Sequence, residues 1–177
     1  HVRAYNDCGT AYRDRDQFDR AMADFDAALA LDSTNVCAHL NRGIVRLIRG
    51  ESGPAIADFD AALRLDPGLV RAYYERGNAF RAEGDYERAI ADYSRAIRLD
   101  PKHARAYNNR GFAHALRRDD DRAIADYNAA IQLDPDFARA YKNRANVFAR
   151  KGLWEQADAD RRSAQRLGQA APQGGRV

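Results

Sequence analysis

Apolar and small residues return along this chain every 34 residues, in two helical rhythms separated by a polar turn. With positions counted from residues 2, 36, 70, 104 and 138, the recurring sites are 4, 8 and 11, then 20, 21, 24, 27 and 28. Steps of three and four residues place each set on one face of an α-helix, at about 100° per residue. Gly50, Gly84 and Gly152 fall between the two rhythms, where a turn has to reverse the chain. Asp66-Pro67, Asp100-Pro101 and Asp134-Pro135 close three of the intervals, because the residue before proline disfavours helical geometry. The pattern predicts ten helices and no strand.

The intervals are copies of one another. Ala72-Tyr73-Tyr74-Glu75-Arg76-Gly77 returns as Ala106-Tyr107-Asn108-Asn109-Arg110-Gly111. Arg88-Ala89-Ile90-Ala91-Asp92-Tyr93 returns as Arg122-Ala123-Ile124-Ala125-Asp126-Tyr127. Position 8 is Gly9, Gly43, Gly77, Gly111 and Ala145; position 20 is alanine throughout, from Ala21 to Ala157. Position 27 is Ala28, Ala62, Ala96, Ala130 and Ala164, and position 24 is Phe25, Phe59, Tyr93 and Tyr127, then Arg161. Small residues let two helix backbones approach, and an aromatic ring fills the space beside them.

These residues resemble the tetratricopeptide repeat. The resemblance implies an all-α, right-handed superhelical solenoid of five helix-turn-helix units, at 2–35, 36–69, 70–103, 104–137 and 138–171. The array would span 1–168, with a flexible tail at 169–177. In the fifth repeat Asp158 and Gln165 replace the apolar residues of positions 21 and 28, and Arg161 the aromatic of position 24. Its second helix is therefore expected to be a solvated cap. Val2, Tyr5 and Tyr12 show no such switch, and the chain opens at His1 in mid-pattern, so further sequence is expected upstream.

Position 7, usually leucine in this family, is Cys8, then Arg42, Arg76, Arg110 and Arg144. It lies between positions 4 and 11, on the core side, where a guanidinium needs a partner. Position 23 supplies one, as Asp24, Asp58, Asp92, Asp126 and Asp160. Each arginine could pair within its own repeat or with the repeat before. Because the first repeat alone lacks the arginine, the between-repeat register is expected: Asp24 to Arg42, Asp58 to Arg76, Asp92 to Arg110 and Asp126 to Arg144. Asp160 would then face solvent.

Positions 2, 5, 9 and 12 of each first helix cluster opposite the core stripe, and in this family that face lines a concave peptide-binding groove. The candidate site is Arg71, Tyr74, Asn78, Arg105, Asn108, Asn109, Phe112, Arg139, Lys142, Asn143 and Asn146. Arginine binds carboxylates with two parallel bonds, an amide both donates to and accepts from a backbone, and Tyr74 and Phe112 offer apolar anchors. Asn78, Asn109, Arg139 and Asn143 partly resemble the carboxylate clamp of chaperone-binding members, with Tyr74 and Asn143 standing where the clamp has cations. A plain solvated face is the competing reading of the arginines.

Composition narrows the chemistry. The chain is 45% hydrophobic and 31% charged, with 35 Ala against 12 Gly and 5 Pro, which suits close-packed helices. A net charge of +3 gives no case for nucleic acid, and nothing approaches a membrane-spanning run. The charge is uneven: the first repeat holds four Arg against seven Asp, net −3, and the fifth eight basic against three acidic residues, net +5. The 26 Arg against 3 Lys read as GC-rich codon usage, hence a bacterial source, with cytoplasm and periplasm both fitting. Cys8 and Cys37 lie on different faces, so no disulfide is expected. The four His show no metal-ligand spacing, and Asp119 to Asp121 lack the glycine and distal glutamate of a calcium loop. No cofactor, metal or catalytic residue is expected.

The function expected is a non-catalytic scaffold or adaptor holding a protein or peptide segment, acidic in character, in the groove. Two alternatives stand beside it: a regulatory or targeting module of a larger enzyme or assembly, and a self-assembling module. The chain is expected to be monomeric or weakly self-associating.

Overall fold

Each 34-residue interval folds as a helical hairpin. The computed structural model describes residues 1–170, Ala170 by its backbone alone. Ten helices and no strand are found among them. They are α1 (Val2–Arg13), α2 (Phe18–Leu31), α3 (Val36–Ile48), α4 (Ser52–Leu65), α5 (Val70–Ala82), α6 (Tyr86–Leu99), α7 (Ala104–Leu116), α8 (Asp120–Leu133), α9 (Ala138–Arg150) and α10 (Trp154–Ala170). Residues 169 and 170 belong to α10; the rest of the expected tail lies outside the described residues.

The chain divides at Leu99 into two compact units. The N-terminal unit carries α1 to α6, the first three repeats. Its hairpins are α1/α2, α3/α4 and α5/α6; α2 packs on α3, and α4 on α5. The first helices also touch, α1 with α3 and α3 with α5, so they share one face of the unit. The C-terminal unit carries hairpins α7/α8 and α9/α10, with α8 packed on α9 and α7 touching α9.

The hairpins close where sequence and sterics coincide. A Cβ on Gly9 would lie 2.7 Å from the Phe25 ring, and one on Gly43 2.6 Å from Phe59. The same clash arises at Gly77 against Tyr93 (2.8 Å) and at Gly111 against Tyr127 (3.0 Å). Only hydrogen fits beneath those rings, which are themselves fully buried. In the fifth repeat Arg161 replaces the ring and is exposed, and Ala145 is accommodated. Positions 8 and 24 therefore change together.

Gly50, Gly84 and Gly152 hold φ near +80° in the turn between helices. Asp16 and Arg118 adopt the same left-handed conformation in the first and fourth repeats, at φ 57° and 64°, without glycine's steric freedom. At the repeat ends the aspartate, more than the proline, makes the turn. Asp32, Asp66, Asp100 and Asp134 each accept a bond from the backbone N–H two residues on, and Asp32 does so with no proline after it.

The outer face of α10 is polar, with Asp158, Arg161 and Gln165 all exposed. At the corresponding sites of α2, Met22 packs with Val45 of α3, and Leu29 with Ala38. No helix among the described residues is long and apolar enough to cross a membrane.

Candidate functional site

The arginine ladder exists, but its register differs from the expectation. Arg42 pairs with Asp58 of its own repeat (2.6 Å), not with Asp24. Arg76 pairs with Asp92 (2.7 Å), not Asp58; Arg110 with Asp126 (2.6 Å), not Asp92; and Arg144 with Asp160 (2.7 Å), not Asp126. Asp160 is thus buried and paired rather than solvent-facing. The two helices of each hairpin pack against one another, and in the fourth repeat a Cβ on Gly111 would lie 3.1 Å from that of Asp126, which sets position 23 beside positions 7 and 8 of its own repeat.

Each pair has two parallel bonds. Arg76 Nε and Nη2 donate to the two carboxylate oxygens of Asp92, and Arg110 and Arg144 do the same to Asp126 and Asp160. These bonds hold the Arg76 guanidinium well above its ordinary range and raise that of Arg110, outweighing the effect of burial in both. Aromatic rings flank the cations: Arg76 lies 5.6 Å from the Tyr73 ring and 5.8 Å from Phe80, and Arg144 5.7 Å from Tyr141 and 5.5 Å from Phe148.

The between-repeat link is made by another residue. Position 25 of the preceding repeat accepts from the outer guanidinium nitrogen, as Asp26 does from Arg42 (2.7 Å) and Asp60 from Arg76 (2.5 Å). Asn128 accepts from Arg144 in the same way. The second repeat adds Arg46 at position 11, which also donates to Asp58 (2.7 Å), while His39 Nδ1 lies 3.6 Å from that carboxylate. Sequence reading missed Arg46 because position 11 carries an aromatic or histidine in the other four repeats.

The candidate groove residues fall on the first helices but are not equally accessible. Arg71, Arg105, Arg139, Lys142 and Asn146 are exposed, and none of the four cations has an ion pair among the described residues. In the N-terminal unit, Tyr74 and Asn78 are half-buried and tied to Tyr93. The two tyrosine rings are 6.0 Å apart, and Tyr93 Oη donates to Asn78 Oδ1, whose amide donates on to Glu75. This clamps the rotamers of Tyr74 and Asn78.

In the C-terminal unit, Asn109, Phe112 and Asn143 are half-buried. Asn108 does not belong to the open face: it is 1% exposed, because α9 brings Asn143 over it. Asn143 Nδ2 donates to Asn108 Oδ1, and Asn108 Nδ2 to Asn109 Oδ1, so the amides form a chain linking two repeats. Beside it, Phe112, Asn143, Asn146 and Arg150 border a cavity of about 190 Å³ whose remaining wall includes Leu116, Tyr127 and Val147. A second hollow, of about 540 Å³, opens between α1 and α3 beside Arg3, Asn6, Thr10, Cys37 and Asn41. Those residues stand at the same repeat positions as the nominated ones, which was the signal available for them.

Cys8 and Cys37 are free thiols, both exposed. Among the described residues no group of three or more His, Cys, Asp or Glu is placed to hold a metal ion.

Hairpins repeated at a fixed period, with a shared face of first helices within each unit, define the helical-repeat class of solenoid proteins. The sequence family described as "TPR repeat" matches residues 77–116 and 119–152, and "Tetratricopeptide repeat" matches 7–70. The chain belongs to the tetratricopeptide repeat family, in general a non-catalytic protein-interaction fold. Its structure is similar to that of MamA, at 28% identity, covering 91% of this chain and 94% of that one with a TM-score of 0.83. It is also similar to YrrB, described as a TPR protein with an unusual peptide-binding site (24% identity, 94% and 86% covered, TM-score 0.76). PilF of Pseudomonas aeruginosa shares the fold at 19% identity, with 99% and 78% covered and a TM-score of 0.86. No curated protein matches the sequence.

Proposed function

We propose that this chain is a non-catalytic adaptor that holds an acidic, partly apolar peptide or protein segment against its first helices. The observation that carries this reading is the cavity in the C-terminal unit. It combines an aromatic and aliphatic wall with amides at its border, and Arg105, Arg139 and Lys142 are exposed on the same two helices. An apolar side chain of the ligand fills the cavity beside Phe112. Asn143 and Asn146 meet its backbone, and the cations meet flanking carboxylates. Arg71, Tyr74 and Asn78 offer the same chemistry in the N-terminal unit. The peptide-binding site of YrrB supports this reading to the extent that the fold can host one.

The test is a peptide array in which one leucine or phenylalanine is flanked by glutamates at varied spacing. Hits are then measured by fluorescence anisotropy. Phe112→Ala is expected to weaken the best peptide by about tenfold, as loss of an apolar anchor does. Lys142→Glu with Arg139→Glu should abolish binding while the circular dichroism spectrum stays unchanged. Peptides that bind these variants as well as the native chain would refute the site.

A further inference from the structure

The first repeat has no ladder arginine, and a cavity stands in its place. Tyr5, Cys8, Tyr12 and Asp24 occupy positions 4, 7, 11 and 23, and with His1 and Ala4 they line a cavity of about 250 Å³. In the third repeat those positions are Tyr73, Arg76, Phe80 and Asp92, and in the fifth Tyr141, Arg144, Phe148 and Asp160, each a box around a guanidinium. The first repeat keeps the two aromatic walls and the carboxylate, and Arg20 lies 5.6 Å from the Tyr12 ring as Arg88 lies 4.4 Å from Phe80; it lacks only the cation of position 7. Asp24 Oδ2 is buried and has no hydrogen-bond partner, whereas both oxygens of Asp92, Asp126 and Asp160 are bonded by arginine. A cavity lined by two tyrosines and a carboxylate with an unpartnered buried oxygen suits a planar, multiply donating cation, which is an arginine side chain.

The structure also indicates which arginine. At the internal junctions, position 25 of the preceding repeat reaches the box and meets the guanidinium, as Asp26, Asp60 and Asn128 do. In the fifth repeat position 25 is Arg162, exposed on α10. Arginine exceeds aspartate by Cδ, Nε and Cζ, the span that separates a carboxylate carbon from the guanidinium carbon it pairs with. An arginine at position 25 thus places its own guanidinium where position 7 otherwise supplies one. The first repeat's net charge of −3 and the fifth's of +5 favour the same meeting.

We propose that the box of the first repeat takes the Arg162 guanidinium of a second copy of this chain, with α10 of one copy packing on α1 of the next as α2 packs on α3. The contact is heterologous, joining copies of the chain head to tail. Because α10 presents Asp158 and Gln165 where α2 presents Met22 and Leu29, charge rather than apolar burial holds it. The association is therefore weak and salt-sensitive. It is independent of the peptide-binding face.

Sedimentation velocity over a concentration series, with reductant present to exclude disulfides, tests this directly. At low salt the weight-average mass should rise with concentration above the 19.8 kDa of one chain, and at about 1 M salt it should return to that value. Arg162→Glu should weaken association by at least about tenfold. Cys8→Arg fills the box from within, raises the melting temperature and turns Arg162 away. Cys8→Arg combined with Arg162→Asp rebuilds the internal arrangement and should restore assembly. A native chain of single-chain mass at every concentration in low salt would overturn the proposal. So would assembly indifferent to Arg162→Glu and to Cys8→Arg, or a double variant that folds and does not assemble.

Discussion

An arginine at position 7 places a charge beside the core, and what it meets there decides its effect. Asp92 is 6% exposed, and both its carboxylate oxygens are bonded by Arg76, itself half-buried between Tyr73 and Phe80. Arg76→Met strands that carboxylate and is expected to cost about 2–4 kcal/mol in urea unfolding. Arg76→Met with Asp92→Leu should recover most of the loss, because an apolar pair of similar volume has no desolvation cost. Equal losses in both variants would show that the arginine stabilises through packing alone.

The same resolution applies at position 8. Gly77→Ala presses a methyl group into the Tyr93 ring and should destabilise by about 1–3 kcal/mol, the usual effect of overpacking. At Ala145, where Arg161 has withdrawn the ring, Ala145→Gly should instead cost about 1 kcal/mol, from helix propensity. Denaturant midpoints check both signs, and a stabilising Gly77→Ala would contradict the packing account.

At the scale of the helix, α7 carries a histidine where α5 and α9 carry phenylalanine. His114 is 7% exposed, near Asp126 and Asp119 and also Arg110 and Arg122, and burial holds its pKa below the ordinary value. The unfolded chain therefore binds the proton more readily. The stabilisation is fully present above the unfolded pKa of about 6.5 and is lost as pH falls through the lower folded value. His114→Phe should flatten the fall in stability between about pH 6.5 and 5 relative to the native chain. Parallel curves would show that His114 does not titrate with unfolding.

Helices and hairpins were legible because the burial pattern repeats five times with the spacing of one helical face. The pairing of charges was not legible in the same way. Periodicity reports which face a residue occupies, and positions 23 and 25 of neighbouring repeats both face the arginine. The lack of arginine at Cys8 argued for pairing position 7 with position 23 of the repeat before, and that pairing does not form. The structure places the link between repeats at position 25, through Asp26 and Asp60, while position 23 binds within the repeat. The available signal was that position 23 is aspartate in every repeat that carries the arginine, with both residues on the facing sides of one hairpin. Asn108 was misplaced for a related reason: its side chain is on the predicted face, but Asn143 of the next repeat covers it.

For the whole molecule, arginines engaged inside the repeats stand apart from exposed cations on the first helices that have no ion pair among the described residues. Arg71, Arg105 and Arg139 stand at position 2, exposed and unpaired among the described residues, while the arginines of position 7 are all engaged. That contrast fits a stabilising role for the position 7 arginines and leaves those of position 2 free for the ligand proposed above. It is tested most directly by affinity capture from native lysate, read by mass spectrometry, comparing the native chain with Arg71→Glu/Arg105→Glu/Arg139→Glu. The account predicts an unchanged circular dichroism spectrum and melting temperature for the variant, together with loss of a partner that carries an acidic segment. Capture of the same partners by both proteins would contradict it.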